Sequence, residues 1–169
     1  MSFSKAFSQG IFYYICNECY DSVEGGVSVL LPQKLNPGVF IQYNTSVPVV
    51  DDLFEIKSSL SYSHFFSKFQ NDSYFDNKSY SLNRLAVMVN FDFLIKKKFI
   101  LSPGADLSTY FSAADEFDFR AAASLTGGYK ISDKLIINLK YIKAFEPLYF
   151  YGNKQDIDII NLGLNYRFK

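Results

Sequence analysis

His64 is the only histidine in the chain, and Ser63 and Ser67 lie close to it in the sequence. A histidine that combines with a serine and a carboxylate such as Glu55 could activate a nucleophile in a lipid-modifying hydrolase. Adjacent serines alone do not define such a triad, and His64 lies in phase with apolar residues near the end of its strand. We therefore favour an interfacial histidine and predict that the chain is not an enzyme. The hydrolase is kept as an alternative, which a His64→Ala variant tests.

Two cysteines, Cys16 and Cys19, form a Cys-Asn-Glu-Cys motif near the N-terminus. A redox or metal motif would need a strand-to-helix context or a second Cys/His pair, and the sequence supplies neither. We expect a structural disulfide or two unreactive thiols, with lipid or intermolecular attachment as the alternative. Asp115, Glu116 and Asp118 could bind a cation, but we favour a solvated loop end. We therefore predict no metal and no cofactor.

The composition excludes several classes of protein. The 169 residues suffice for one domain, and a formal net charge of zero gives no reason to expect nucleic acid as a partner. No apolar run approaches the roughly 20 residues of a membrane-spanning helix, so a helical membrane protein is excluded. Aromatic residues reach 18%, which is typical of the aromatic girdles of membrane β-barrels. The N-terminus lacks a basic, apolar signal pattern, so we expect a mature form.

Apolar and polar residues alternate along most of the chain, with turn signals between the alternating segments. Phe91 and Phe93, for example, alternate with Asn90 and Asp92. A period of two places the apolar residues on one face of a β-strand and the polar residues on the other. Eight such strands are predicted, at about 23–31, 39–49, 54–66, 84–95, 99–111, 116–129, 135–141 and 160–168.

The connections between the predicted strands have two lengths. Strands two, four and six are followed by short turns, whereas longer polar and aromatic loops follow strand three, at about 70–79, and strand seven, at about 145–155. Short turns at one end and longer loops at the other are the layout of an outer-membrane barrel. An even number of strands places both termini at the periplasmic end. We therefore assign residues 22–169 to the barrel and residues 1–21 to an N-terminal arm or plug.

The polar faces of these strands carry most of the ionisable residues. In a soluble barrel they would face water, and this interpretation stays open. In an eight-stranded membrane barrel they would fill the lumen, where buried charges must pair. The near balance of acids and bases suits such a network. It comprises Glu24, Glu55, Lys57, Arg84, Asp92, Asp106, Glu116, Asp118, Arg120, Lys140 and Arg167. We therefore predict an all-β fold, an antiparallel up-and-down transmembrane β-barrel of about eight strands.

The last predicted strand ends in the sequence LGLNYRF, followed by Lys169. This segment resembles the closing strand of the small OmpX/Ail-type barrels, which are similar to the transmembrane domain of OmpA, and the strand layout over residues 22–168 resembles them too. The resemblance implies location in the bacterial outer membrane. It also implies that the barrel-assembly machinery recognises the chain and that surface loops carry any adhesive or protective role. The residues that would form the assembly signal are Leu162, Leu164, Tyr166 and Phe168.

The two long loops are the leading candidates for a function. They contain six aromatic residues: Phe69, Tyr74, Phe75, Tyr149, Phe150 and Tyr151. Aromatic residues on loop tips suit contact with a partner protein or with lipopolysaccharide, although they would also extend the outer aromatic girdle. We therefore expect a structural or surface-interaction protein. Its expected partners are outer-membrane lipid, lipopolysaccharide, the barrel-assembly machinery and host or surface proteins.

Two further functions stay open as alternatives. A narrow pore for small solutes needs an open lumen, in which small residues such as Gly26, Gly104, Ala122, Gly128 and Gly163 would leave room. A soluble lipocalin-like carrier would instead turn its apolar rows inward around a hydrophobic ligand. Measurements of conductance would identify the pore, and solubility without detergent would identify the carrier.

Overall fold

The computed structural model describes residues 19–31, 36–66, 81–112, 118–150 and 153–168. These residues form ten strands: β1 (Tyr20–Leu30), β2 (Asn36–Val50), β3 (Phe54–Phe65), β4 (Leu82–Ile95), β5 (Phe99–Ser112), β6 (Asp118–Lys130), β7 (Leu135–Ala144), β8 (Leu148–Phe150), β9 (Asn153–Gln155) and β10 (Asp158–Phe168). Eight of them close into an antiparallel barrel in the order β1-β10-β7-β6-β5-β4-β3-β2, while β8 and β9 form a separate hairpin. Within the described ranges, no helix is long and apolar enough to cross a membrane.

The two faces of the barrel wall differ in polarity, because side chains alternate along every strand. Apolar side chains cover the outside, and the paired residues Val87 and Leu107 are 58% and 61% exposed. Polar side chains such as Ser28, Asn44 and Asn90 point inward and are fully buried. This orientation is the one that lipid requires, and it confirms the predicted transmembrane barrel. It is the reverse of the orientation of a soluble carrier, whose apolar rows would line the cavity.

The two ends of the barrel have different connections. Residues 51–53, 96–98 and 131–134 make short turns from β2 to β3, β4 to β5 and β6 to β7 at one end, the turn end. Both ends of the barrel sequence also lie there, since Asp21 of β1 pairs with Phe168 of β10. The other four connections lie at the opposite end, the loop end. This is the predicted layout, in which the turn end faces the periplasm.

The turn between β4 and β5 has an uncommon backbone conformation. The Lys98 amide donates a hydrogen bond to the Ile95 carbonyl at 3.3 Å, so Lys96 and Lys97 are the two central residues of the turn. Both have positive φ, at 53° and 60°. Such left-handed pairs match the twist of a hairpin, but Asn-Gly is the usual sequence there because a β-carbon disfavours positive φ.

Proline in β5 does not end the strand. Pro103 lacks an amide hydrogen and cannot donate to a sheet ladder. The pairing of β4 with β5 is interrupted around it, between the pairs Asn90–Gly104 and Phe93–Leu101. The pairing of β5 with β6 continues through Pro103. The strand continues past Pro103 because only its ladder with β4 is interrupted there, while its ladder with β6 stays paired.

Several strand bounds differ by two or three residues from the sequence-based expectation. Strand β1 begins at Tyr20 rather than at residue 23, because Tyr20 and Asp21 still pair with Ser46 and Thr45 of β2. The segment predicted as an aromatic loop at about 145–155 contains the short hairpin of β8 and β9. Residues 1–18 lie outside the described residues, so the predicted arm or plug stays a prediction.

Candidate functional site

The middle of the lumen contains hydrogen bonds that reach across the barrel. Lys140 of β7 donates from Nζ to Oε1 of Gln42 on β2, at 2.7 Å. Because β10 and β1 lie between β7 and β2 in the sheet, this hydrogen bond crosses the interior. Asn138 of β7 similarly donates from Nδ2 to Oε2 of Glu24 on β1, at 2.9 Å. These contacts tie the two sides of the barrel together through polar groups that would be costly to bury unpaired.

A buried ion pair connects β4 and β5. Nη2 of Arg84 lies 2.8 Å from Oδ2 of Asp106, and both side chains are at most 1% exposed. The ring of Tyr110, which pairs with Arg84 across the two strands, lies 5.9 Å from Cζ of Arg84. The guanidinium therefore has a carboxylate and an aromatic ring as neighbours in a region without exposed surface.

Charged residues also pair towards the turn end. Lys57 of β3 lies 2.7 Å from Asp92 of β4, which in addition accepts a hydrogen bond from Ser102. A second charged pair lies beside the first: Nη2 of Arg167 lies 3.1 Å from Oε2 of Glu55. The first pair joins the adjacent strands β3 and β4, and the second joins β3 to β10, which is far from β3 in the sequence.

Tyr20 belongs to the same turn-end group. Its hydroxyl donates to Oε2 of Glu55, and its ring lies 4.3 Å below Cζ of Arg167. Tyr20 was not among the predicted lumen residues, because it precedes the predicted first strand. Its inward phase relative to Ser22 and Glu24 was the signal that could have identified it.

The eleven residues of the predicted lumen network fall into three groups. Eight of them lie inside the barrel in the pairs and hydrogen bonds described above. Asp118 and Arg120 lie at the loop end, where they pair with each other. Nε of Arg120 also donates to the Pro147 carbonyl at 3.0 Å, which ties the start of β6 to the segment after β7. Glu116 lies outside the described residues.

An apolar layer lies across the lumen at the loop end. Its members come from seven of the eight barrel strands and from the residue before β10: Leu30, Phe65, Leu82, Tyr110, Ala122, Ile142, Ile157 and Ile159. Each is at most 3% exposed. This layer was not predicted from the sequence, because a polar lumen was expected throughout. The available signal was the loss of alternation at strand ends, where Leu30–Leu31 and Phe65–Phe66 are consecutive apolar pairs.

Small residues of the described lumen have larger side chains over them. A β-carbon on Gly163 would lie 2.7 Å from Cζ of Phe40, and one on Gly128 would lie 2.7 Å from Oδ1 of Asn138. Larger side chains from other strands therefore occupy the space above these glycines. The glycines serve close packing of the interior, and they do not provide the room that the pore alternative requires.

Of the residues of the hydrolase alternative, the structure describes Glu55, Ser63 and His64 and does not bring these three together, whereas Ser67 lies outside the described residues. His64 lies at the loop end of β3, where its Nδ1 is 2.8 Å from Oδ1 of Asn83. Tyr62 donates to the same Asn83 oxygen, also at 2.8 Å. Ser63 points into the barrel, and Glu55 lies at the opposite end of the strand beside Arg167. His64 is thus part of a small polar cluster on the outer face.

Other predicted groups are described only in part. Cys19 is exposed just before β1, whereas Cys16 lies outside the described residues, so the disulfide stays a prediction. The side chains of the six loop aromatics likewise lie outside the described part of the chain. Within that part, no group of three or more His, Cys, Asp or Glu residues is arranged to hold a metal ion.

The closing strand β10 presents its alternating residues to the outside. Leu162, Leu164 and Tyr166 are about half exposed, and Phe168 follows them in the same phase. The rings of Tyr166 and Phe168 lie 6.4 Å apart at the turn end. Strand β10 pairs with β1 on one side and β7 on the other, so this strand closes the barrel.

No protein-family model matches the chain, and no curated protein matches it. Solved structures of small outer-membrane barrels do match. Neisserial surface protein A is 12% identical, with a TM-score of 0.55 over 89% of this chain and 96% of that one. Ail of Yersinia pestis is 13% identical, with a TM-score of 0.57 over 89% of this chain and 100% of that one.

OprG from Pseudomonas aeruginosa is 10% identical, with a TM-score of 0.55 over 90% of this chain and 97% of that one. Identities this low establish a shared fold. The chain has the fold of the small eight-stranded outer-membrane β-barrels, which confirms the predicted architecture and supports the predicted location in the bacterial outer membrane.

Proposed function

We propose that this chain is an integral protein of the bacterial outer membrane that binds other molecules at the cell surface through its loops. The observation that carries the proposal is the filled interior of the barrel. Paired charges occupy the middle of the lumen, and the apolar layer lies across its loop end. A barrel packed in this way acts as a scaffold, because the loops and the outer wall are the surfaces left for a partner.

Two further observations support a surface role. The long loops concentrate aromatic residues, which contribute strongly to binding when they are buried at an interface. Two of the similar structures are named as a surface protein of Neisseria and as the attachment invasion locus protein of Yersinia pestis. Those names describe the other proteins, and for this chain they indicate which kind of assay to try first.

Adhesion of whole bacteria to a cultured epithelial monolayer tests the proposal. Bacteria that express the chain should adhere, and a variant with the six loop aromatics changed to serine should lose about tenfold or more of that adhesion. The matched control changes the outer-face aromatics Phe91, Phe93 and Phe99 to leucine, which alters aromatic content near the turn end and leaves the loops intact. Both variants must keep the heat-dependent gel mobility of a folded barrel.

Conductance separates the scaffold from the pore. In planar lipid bilayers the purified protein should give no stepwise single-channel currents, because the apolar layer excludes hydrated ions. Stepwise currents from the wild-type protein, together with adhesion that the loop substitutions leave unchanged, would overturn the proposal in favour of a pore.

We also infer that two partners act on the outer wall. Outer-membrane lipid contacts the apolar exterior, an inference that fits the study of Ail in a phospholipid bilayer nanodisc. The barrel-assembly machinery recognises β10 through Leu162, Leu164, Tyr166 and Phe168. These residues share the outer face of the closing strand, where they are accessible before the strand pairs with β1.

A further inference from the structure

A groove interrupts the apolar outer wall near the turn end. Leu101 of β5, Gly127 of β6 and Leu139 of β7 lie side by side in the sheet, and the glycine leaves a gap between the two leucines. A β-carbon on Gly127 would have no neighbour within 4 Å. The groove has a volume of about 550 Å³ and is lined by apolar side chains.

A row of two aromatic residues and one isoleucine borders the groove on the side of the turns. Phe99, Tyr129 and Ile137 are paired neighbours on the same three strands, one row closer to the turn end than Gly127. The ring centroids of Phe99 and Tyr129 lie 5.3 Å apart. Packing density in the wall is therefore low over Gly127 and high beside it, so a flexible apolar chain that fills the gap gains contacts with side chains on three sides.

Lysines lie in the two turns next to the turn-end edge of this groove. Lys98 directly precedes Phe99, and Lys130 directly follows Tyr129. The Lys130 amide donates to the Lys98 carbonyl at 2.8 Å, so the turn at 96–98 and the turn at 131–134 are adjacent. Exposed lysines in these two turns are Lys96, Lys97, Lys98 and Lys134. Asp52 pairs with Lys97 at 2.7 Å, and Asp133 is the acidic residue of the second turn.

The backbone of the first turn adds a second observation. Lys96 and Lys97 both have positive φ, which asparagine and glycine adopt at lower cost. The backbone therefore does not select lysine at these positions. Lysine does suit the membrane interface, because the stem of its side chain covers apolar surface while its ammonium group reaches lipid phosphates.

We propose that the groove and the turn lysines together bind one anionic phospholipid of the periplasmic leaflet. One acyl chain lies over Gly127, between Leu101 and Leu139. The phosphate lies among the ammonium groups of Lys96, Lys98 and Lys134. The proposal depends on location in the outer membrane, where the turn end faces the phospholipid leaflet, and it is independent of what the loops bind.

Native mass spectrometry of the full chain in detergent tests this site. Phosphatidylglycerol and phosphatidylcholine with identical acyl chains are added separately, and the protein that retains one lipid is measured from its mass. The wild-type protein should retain one phosphatidylglycerol with an apparent affinity roughly tenfold above that for phosphatidylcholine. Gly127→Leu should abolish this retention of both lipids, because leucine fills the groove.

The lysines are tested separately from the groove. A triple variant carries Lys96→Gln, Lys98→Gln and Lys134→Gln. It should retain phosphatidylglycerol and phosphatidylcholine equally, at the level at which the wild-type protein retains phosphatidylcholine. Ala105→Leu adds the same side chain on the outer face of β5 outside the groove and should behave as wild type. Lys143→Gln removes an exposed lysine at the loop end and should leave the preference unchanged.

Two results would overturn the proposal. One is equal retention of the two lipids by the wild-type protein. The other is wild-type retention of phosphatidylglycerol by a Gly127→Leu protein that keeps its heat-dependent gel mobility. Because Gly127 has open space around its outer face, this variant is expected to fold, and the lysine variant tests the site without any change in the wall.

Discussion

Arg84 and Asp106 form an ion pair inside the barrel, with 2.8 Å between Nη2 of Arg84 and Oδ2 of Asp106. The two residues lie on neighbouring strands, and their side chains are 1% and 0% exposed. Neither side chain has surface exposed to bulk solvent, so each charge depends on its partner. The pair is therefore the part of the lumen network in which coupling between residues can be measured most directly.

Removal of one member of the pair should destabilise the barrel strongly, and removal of both should destabilise it by less than the sum of the two single effects. We expect Arg84→Met and Asp106→Leu to lower the free energy of unfolding by about 3–5 kcal/mol each, because each leaves an uncompensated buried charge. The double variant should be more stable than the sum of the single effects by about 0.5–3 kcal/mol. Urea unfolding in lipid vesicles, followed by gel mobility, gives the four stabilities.

The control for this cycle is a pair of lumen residues without charge. Ser28 donates a hydrogen bond to Asn161 at 2.8 Å, so Ser28→Ala with Asn161→Ala should show a much smaller coupling. Additive effects of the Arg84 and Asp106 substitutions would show that the two charges do not depend on each other.

The fold could be predicted from the sequence because lipid imposes one requirement on every strand. An apolar outer face repeats with a period of two, as in Leu85, Val87 and Val89, and this pattern identified all eight barrel strands. Strand ends were less predictable. Leu30–Leu31 and Phe65–Phe66 are apolar on both faces, so alternation alone cannot show that one member of each pair joins the apolar layer.

The partners within the lumen could not be predicted for a different reason. Gln42 and Lys140 are separated by 98 residues, and they meet because the tilt and stagger of the strands bring β2 and β7 across the barrel from each other. The alternation shows whether a residue faces the lumen or the outside, but it does not show where the residue lies along the barrel axis. The sequence therefore indicated which charges are inside, and it could not indicate which of them pair.

Leu107→Arg tests whether the outer wall contacts lipid. Leu107 is 61% exposed near the middle of β5, so an arginine there would be tolerated in water. In a bilayer the substitution should lower the free energy of unfolding by about 2–4 kcal/mol. Leu53→Arg is the matched control, since Leu53 is 59% exposed but lies in a turn at the membrane edge. Equal effects of the two substitutions would contradict a lipid-facing wall.

Phe168→Ala tests the proposed assembly signal. We expect less folded barrel in the outer membrane of cells, because the aromatic at the end of β10 would no longer be recognised. Refolding of the purified variant into lipid vesicles should change little, since Phe168 lies on the outer face and is not packed in the lumen. Leu107→Ala, a truncation on the same face of another strand, is the control. Equal losses in cells and in vesicles would indicate a general folding defect.

The turn residues Asp52 and Lys97 give a prediction for pH. A hydrogen bond from Lys97 and its positive charge lower the pKa of Asp52 below the ordinary value of 3.8. Because the pKa is lower in the folded state, the pair stabilises the fold above about pH 4. That contribution disappears as the pH falls through the lowered pKa. NMR titration should show the pKa of Asp52 rising in Lys97→Gln and unchanged in Lys143→Gln.

Spin-label accessibility along β4 tests the central claim, that the apolar face points to lipid and the polar face to a packed lumen. Single cysteines replace outward residues Leu85, Val87 and Val89 or inward residues Ala86 and Met88, in a background with the two native cysteines changed to serine. In lipid vesicles, outward labels should collide more with oxygen than with a water-soluble nickel complex, and inward labels should be shielded from both. Outward labels that collide freely with the nickel complex would contradict the membrane barrel.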